Sequence, residues 1–187
     1  RDGLGLLASA ADSEAIAAGL EDNGGVYFVP AFVGLGAPHW EPDARGTLVG
    51  ITRGTTAAHL VRAALEAMAH GTADVLDAME ADSGVETTEL RVDGGAVLND
   101  WLLSFQADLI GTSVRRPAVV ETTALGAAGL AGISSGVWGT AEDFLAAQSE
   151  PTHFSPTATP QRRDSLTTEW HRAVRAAIRW ARDDGAG

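Results

Sequence analysis

The chain is predicted to be an α/β layered protein, and three observations carry that prediction. Short β-branched or aromatic runs, VYFV at 26–29, TLVGI at 47–51, LRVD at 90–93 and SVRRP at 113–117, recur along the chain. Between them lie longer segments whose apolar residues return every three or four positions. Gly, Pro and Asn clusters mark the boundaries, and no internal repeat, coiled coil or low-complexity tract competes. Strands alternating with helices stack as layers, with room for antiparallel pairs within the sheet.

The elements follow in order. Residues 12–22 read as a helix, with Asp12 or Ser13 as its cap, and the NGG at 23–25 breaks it ahead of VYFV. PAFVGLGAPHWEPDARG, 30–46, is rich in Pro and Gly and has no period, so it is a long loop. Loops of that length inside compact domains are functional or disordered, and its apolar residues argue against disorder. After TLVGI, Leu60/Val61, Ala64/Leu65, Met68, Thr72, Val75/Leu76 and Met79 trace an amphipathic helix from Thr56 to Asp82, ended by Ser83-Gly84. Following LRVD, Asn99 to Ile110 forms a helix with Leu102, Phe105 and Leu109 on one face. TTALGAAGLAGISSG, 122–136, has almost no bulk on any face, which places its backbone close against the sheet or another helix. A Pro- and Thr-rich connector holding Pro151 and Pro156 leads to Thr159-Pro160, the N-cap and N1 of a last helix whose stripe is Trp170, Val174, Ala177/Ile178 and Ala181.

Composition narrows the function classes. A chain of 187 residues, 45% hydrophobic and 20% charged, supports one well-filled core or two small ones. No uncharged apolar run approaches the roughly 20 residues of a membrane span. Thirteen Lys and Arg against 25 Asp and Glu give a net charge of −12, whose field repels phosphate backbones and anionic lipid, so neither nucleic acid nor membrane is an expected partner. The absence of cysteine excludes a disulfide framework and any Cys-based zinc site, and the cytoplasm is the expected compartment. His39, His59, His70, His153 and His171 show no i, i+4 pair and no HExxH pattern, so they read as surface or packing residues and no protein-built metal site is expected. RDGLGLL lacks both an initiator Met and a signal-peptide pattern, which predicts a piece of a longer chain.

The segment that carries chemistry is LRVDGGAVLND, 90–100. A strand that ends in Asp93-Gly94-Gly95 and feeds a helix near Asn99 places bare backbone at the carboxyl edge of a sheet, where ligands of open α/β folds collect. Without Cβ atoms, Gly94 and Gly95 let a flat ring or a phosphate approach the main chain, and the first helical turn offers N–H groups to an anion. Asn99 adds a donor and acceptor pair suited to a base or ribose edge. The plainer reading stands beside it: DG is a common turn dipeptide, Asn99 is a good helix cap, and neither a G-x-G-x-x-G spacing nor a P-loop lysine is present. Asp43, Asp93 and Asp100 lie in loops or at a helix start and receive no catalytic role.

GTLVGITRGTTAAHLVRAALE, Gly46 to Glu66, resembles a signature of the FGGY carbohydrate kinases in Gly50-Ile51, the spacer to His59-Leu60, and Ala63, Leu65 and Glu66. PAFVGLGAPHWEPDARG, LRVDGGAVLNDWLLSFQADLIGTSVRRP and ETTALGAAGLAG extend the resemblance from about residue 25 to the final helix, and they are most similar to members that phosphorylate glycerol. The resemblance implies an actin-like ATPase, ribonuclease-H-like domain with a central mixed sheet flanked by helices. It assigns 25–187 to the C-terminal, ATP-binding domain and 1–24 to a helical lead-in from a missing N-terminal part. It implies that Gly94, Gly95 and Ala96 line the pocket for ATP or ADP and that Asn99 meets the adenine. Arg45 and Arg53 are suited to phosphates, or equally to structural salt bridges. Mg²⁺, a glycerol-binding lobe with the catalytic aspartate, and a homo-oligomer are implied outside this chain, which by itself is expected to be inactive. The alternatives are the same domain of another sugar or polyol kinase, and a non-catalytic actin-like nucleotide-binding module.

Overall fold

The structure, a computed structural model, describes residues 3–183. It contains helices α1 (Asp12–Ala18), α2 (Ala57–Ser83), α3 (Asp100–Ile110), α4 (Thr122–Ser134), α5 (Ala141–Ala146) and α6 (Pro160–Arg182). Strands β1 (Tyr27–Val29), β2 (Thr47–Val49), β3 (Glu89–Arg91), β4 (Ser113–Arg116) and β5 (Thr152–Phe154) alternate with them. The strands are divided between two small sheets: β1 and β2 form an antiparallel pair, while β3 runs parallel and β5 antiparallel to β4. Strands of three or four residues bury little, so the helices carry most of the core. No described helix is long and apolar enough to cross a membrane.

Local chemistry explains the element ends. Thr56 N–H donates to His59 Nδ1 at 3.1 Å at the start of α2, and Gly84 closes the helix in the left-handed conformation. Thr159 accepts the N–H of Arg162, and Pro160 opens α6 as the sequence predicts. Helix α1 is shorter than expected, stopping at Ala18, where Arg62 from α2 donates to the carbonyls of Ala17 and Leu20. Asp12 is the first helical residue, and its carboxylate accepts the N–H of Ser9 at 2.8 Å.

Gly50 has φ 82°, and a Cβ there would stand 1.9 Å from the carbonyl oxygen of Gly25. The close passage of two chain segments therefore demands the glycine of the Gly50-Ile51 pair.

Three apolar clusters result. Tyr27, Val29, Ala31 and Ala44 pack with Ala67 of α2 and with Trp170, Ala173, Val174 and Ala177 of α6. Ala17, Leu65, Ala69, Leu102, Leu109 and Leu166 join α1, α2, α3 and α6. Val97, Leu103, Ala107 and Val114 seat α3 on the mixed sheet. The small residues of α4 bring its backbone close to another helix, as expected: a Cβ at Gly129 would lie 2.6 Å from Phe144 of α5, and one at Gly132 would lie 2.5 Å from Trp138. The connector before α6 contains α5 and β5, neither of which the sequence reading identified. For α5 a signal existed, because Thr140 and Asp143 form a reciprocal capping box.

Candidate nucleotide-binding site

Beyond β3 the chain keeps step with its parallel neighbour: Val92 N–H donates to Arg115 O at 3.1 Å and Gly94 N–H to Val120 O at 2.9 Å. At Gly94 it turns sharply, with φ 84° and ψ −179°, a backbone region essentially reserved for glycine. A 3-10 turn, Gly95–Leu98, follows and delivers the chain to α3. A Cβ built on Gly94 or Gly95 meets nothing within 4 Å, so no side chain fills the space that both glycines leave open. Gly95 and Ala96 are exposed, and Val97 is buried beneath the turn.

Asn99 is committed locally. Its Oδ1 accepts the N–H of Leu102 at 2.8 Å, capping α3, and its Nδ2 donates to Ser13 Oγ of α1 at 3.3 Å. One amide hydrogen and one acceptor lone pair remain for anything else. Arg116 secures the turn from β4, donating to Val97 O at 2.8 Å and to Asp100 Oδ1 at 2.6 Å. Thr122 at the start of α4 donates to Asp93. Of these supports the sequence offered only the Asn99 cap on α3, since each of the others joins residues 16 or more apart.

A cavity of about 700 Å³ adjoins the turn, with Val92, Asp93, Thr122, Leu125, Gly126 and Phe144 among its walls. It meets the candidate segment at Arg91, Val92 and Asp93 and leaves Gly94, Gly95, Ala96 and Asn99 outside its lining. Arg45 donates to the carbonyls of Pro42 and Ala44, and Arg53 is exposed on the turn before α2. The structure brings neither arginine into a salt bridge among the described residues. No group of three or more His, Asp or Glu side chains among those residues is arranged to hold a metal ion.

Residues 3–135 match the model of the FGGY family of carbohydrate kinases, C-terminal domain. Over 181 residues the chain is 56% identical to the glycerol kinase of Dechloromonas aromatica, covering 97% of this chain and 36% of that protein. It is 56% identical over 180 residues to the glycerol kinase of Carboxydothermus hydrogenoformans, with 96% and 36% covered. The chain thus spans about a third of the length of these curated relatives. Plasmodium falciparum glycerol kinase, solved with ADP, superposes with a TM-score of 0.82 at 33% identity, over 92% of this chain and 34% of that one. Rhodospirillum rubrum xylulose kinase shares the fold, with a TM-score of 0.71 at 24% identity over 92% of this chain and 35% of its own. The architecture is therefore the actin-like, ribonuclease-H-like one of these kinases, and the chain belongs to the FGGY family of carbohydrate kinases.

Proposed function

We propose that the chain is the nucleotide-binding C-terminal part of an ATP-dependent glycerol kinase, which converts ATP and glycerol to ADP and glycerol 3-phosphate. In this reading residues 1–24 are a helical lead-in and 25–187 the ATP-binding domain of a cytoplasmic, homo-oligomeric enzyme. The observation that carries it is the uncovered main chain at Gly94 and Gly95, in a chain 56% identical along 97% of its length to a glycerol kinase. The ADP in the Plasmodium structure supports the choice of nucleotide.

In the proposed reaction a terminal glycerol hydroxyl attacks the γ-phosphorus as the bond to the β,γ-bridging oxygen breaks, and an aspartate of the other lobe accepts the proton. This chain's share is placement: Gly94 and Gly95 admit the nucleotide to the backbone, Ala96 adds a small wall, and Asn99 offers its remaining amide hydrogen and lone pair to the adenine. Mg²⁺ supplies charge neutralisation at the phosphates when bound, and the described residues provide no carboxylate cluster of their own for it. Because phosphoryl transfer depends on positioning and electrostatic stabilisation from both walls of a cleft, the 187-residue chain alone should not phosphorylate glycerol. The test is a coupled ADP-release assay with a polyol and pentose panel, run on this chain and on the enzyme carrying the preceding lobe. Glycerol turnover by the chain alone, or preference of the longer enzyme for a pentose, overturns the proposal.

Two substitutions separate ligand contact from packing. Gly95→Val introduces a side chain where nothing lies within 4 Å, so unfolding free energy should stay within about 0.5 kcal/mol of the original. Nucleotide affinity of the longer enzyme, read by titration calorimetry, should nevertheless fall at least about tenfold, or about 1.4 kcal/mol. Asn99→Ser keeps a capping oxygen for Leu102 and should cost only a few tenths of a kcal/mol of stability. Losing the amide should still weaken nucleotide binding by roughly 1 kcal/mol. Unchanged affinity in both folded variants would leave these residues with a structural role only.

A further inference from the structure

The loop at 30–46 is held by a carboxylate that the proposed reaction does not use. Asp74, on α2 and 5% exposed, accepts hydrogen bonds from three side chains: Trp170 Nε1 at 2.8 Å, His171 Nε2 at 2.8 Å and His39 Nε2 at 3.0 Å. Burial alone pushes this carboxyl up, but the three bonds together outweigh it and hold Asp74 below the usual carboxylate range. An ionised carboxylate only accepts, so both imidazoles present Nε2–H to it. Trp170 and His171 belong to α6, so they clamp Asp74 between two long helices. His39 is the partner that comes from the loop.

His39 sits inside a tight turn. Leu35 and Glu41 close it by exchanging backbone hydrogen bonds of 2.8 and 2.9 Å, and the N–H groups of His39 and Trp40 both point to Gly36 O. Glu41 accepts a second tie from Arg182 of α6 at 2.5 Å. Between these anchors stands Trp40, with φ 49° and 74% of its surface exposed. A bulky residue in the left-handed region is a genuine outlier that persists only where its surroundings hold it there. Nothing in the described residues covers the indole that this arrangement presents.

We propose that Asp74 is a positioning residue: through His39 it fixes the 35–41 turn so that Trp40 is presented as a contact for the second lobe of the longer enzyme. This rests on the kinase reading, because it takes the closing lobe as the occupant. The chain's length, about a third of its relatives', leaves that lobe to come from outside it. The latch acts on catalysis through the turn, without touching substrate.

Two measurements test it. In the 187-residue chain, His39→Ala should speed amide hydrogen exchange across 36–41 at least tenfold while leaving α2 and α6 unchanged. His39→Gln, whose amide reaches Asp74 as Nε2–H does, should restore slow exchange. In the longer enzyme His39→Ala and Trp40→Ala should each lower kcat at least tenfold with the KM for ATP within twofold, and His39→Gln should recover kcat. Unaltered exchange in His39→Ala overturns the latch. Faster exchange with kcat intact, or a normal kcat in Trp40→Ala, overturns the positioning role. A longer enzyme with no glycerol turnover refutes the kinase reading, and with it the role given to Trp40, while the exchange data still decide the latch.

Discussion

Replacing Arg62 with Ala should lower the unfolding free energy by roughly 3–5 kcal/mol at neutral pH, a large share of what a domain of this size possesses. Arg62 and Glu66 are 7% and 2% exposed, four residues apart on α2, with Nε and Oε1 separated by 2.8 Å. Asn23 donates to the other carboxylate oxygen at 2.7 Å, and the guanidinium lies over Trp101 of α3 at 5.0 Å. It also holds the carbonyls of Ala17 and Leu20 at the end of α1. Removing it leaves a buried carboxylate with one neutral partner, takes a donor from the carbonyls of Ala17 and Leu20, and opens a gap beside an indole. Burial already pushes the Glu66 carboxyl up, with Arg62 and Asn23 opposing it. Without Arg62 the carboxyl should take up a proton more readily, so the deficit relative to the parent should shrink as the pH falls. Urea unfolding of the parent, Arg62→Ala and Arg62→Met/Glu66→Leu measures this, the double variant recovering much of the loss because no charge remains to be buried. A deficit below about 1 kcal/mol in Arg62→Ala would show that water reaches Glu66.

Acidification should remove stability through His70. This imidazole is 1% exposed, stacked on Trp170 with centroids 4.9 Å apart and planes 4° apart, and set edge-on to Phe105. Its Nε2 has no hydrogen-bond partner. Desolvation lowers its pKa to about 4, against an opposing pull from Asp74 and with a small further lowering from His171. The folded value lies below the unfolded one of about 6.5, so the unfolded chain binds the proton first. The contribution is complete above pH 6.5 or so and is lost as the pH falls toward 4. A difference of about 2.5 pH units corresponds to roughly 3 kcal/mol. His70→Phe preserves the stacking without the ionisation, and its unfolding free energy should fall less between pH 7 and pH 4.5 than that of the parent. Equal slopes would mean that His70 is protonated in the folded protein.

The first of these effects reaches the candidate site through α1. Arg62 holds the end of that helix, and Ser13 of the same helix receives the amide of Asn99. The turn at 94–98 is therefore tied on one side to α1 through Asn99 and on the other to β4 through Arg116. A nucleotide bound against it would meet a surface already held in place, which reduces the ordering cost of binding.

What the amino-acid order determined by itself is whatever depends on near neighbours. The three- and four-residue period produced α2 and the apolar face of α3, Thr159-Pro160 set the start of α6, and the paired glycines marked a bare turn after a strand. Helix periodicity, capping and backbone freedom act within a few residues, so a linear reading captures them. Tertiary structure alone decided the rest. It divided the strands between two sheets, assigned Asn99 to α1 as well as to its own helix, and gathered His39, Trp170 and His171 around Asp74 from up to 97 residues away. It also buried the His70 ring against Trp170. These outcomes follow from which distant groups can satisfy a buried charge or donor, and that depends on three-dimensional proximity which no local pattern encodes.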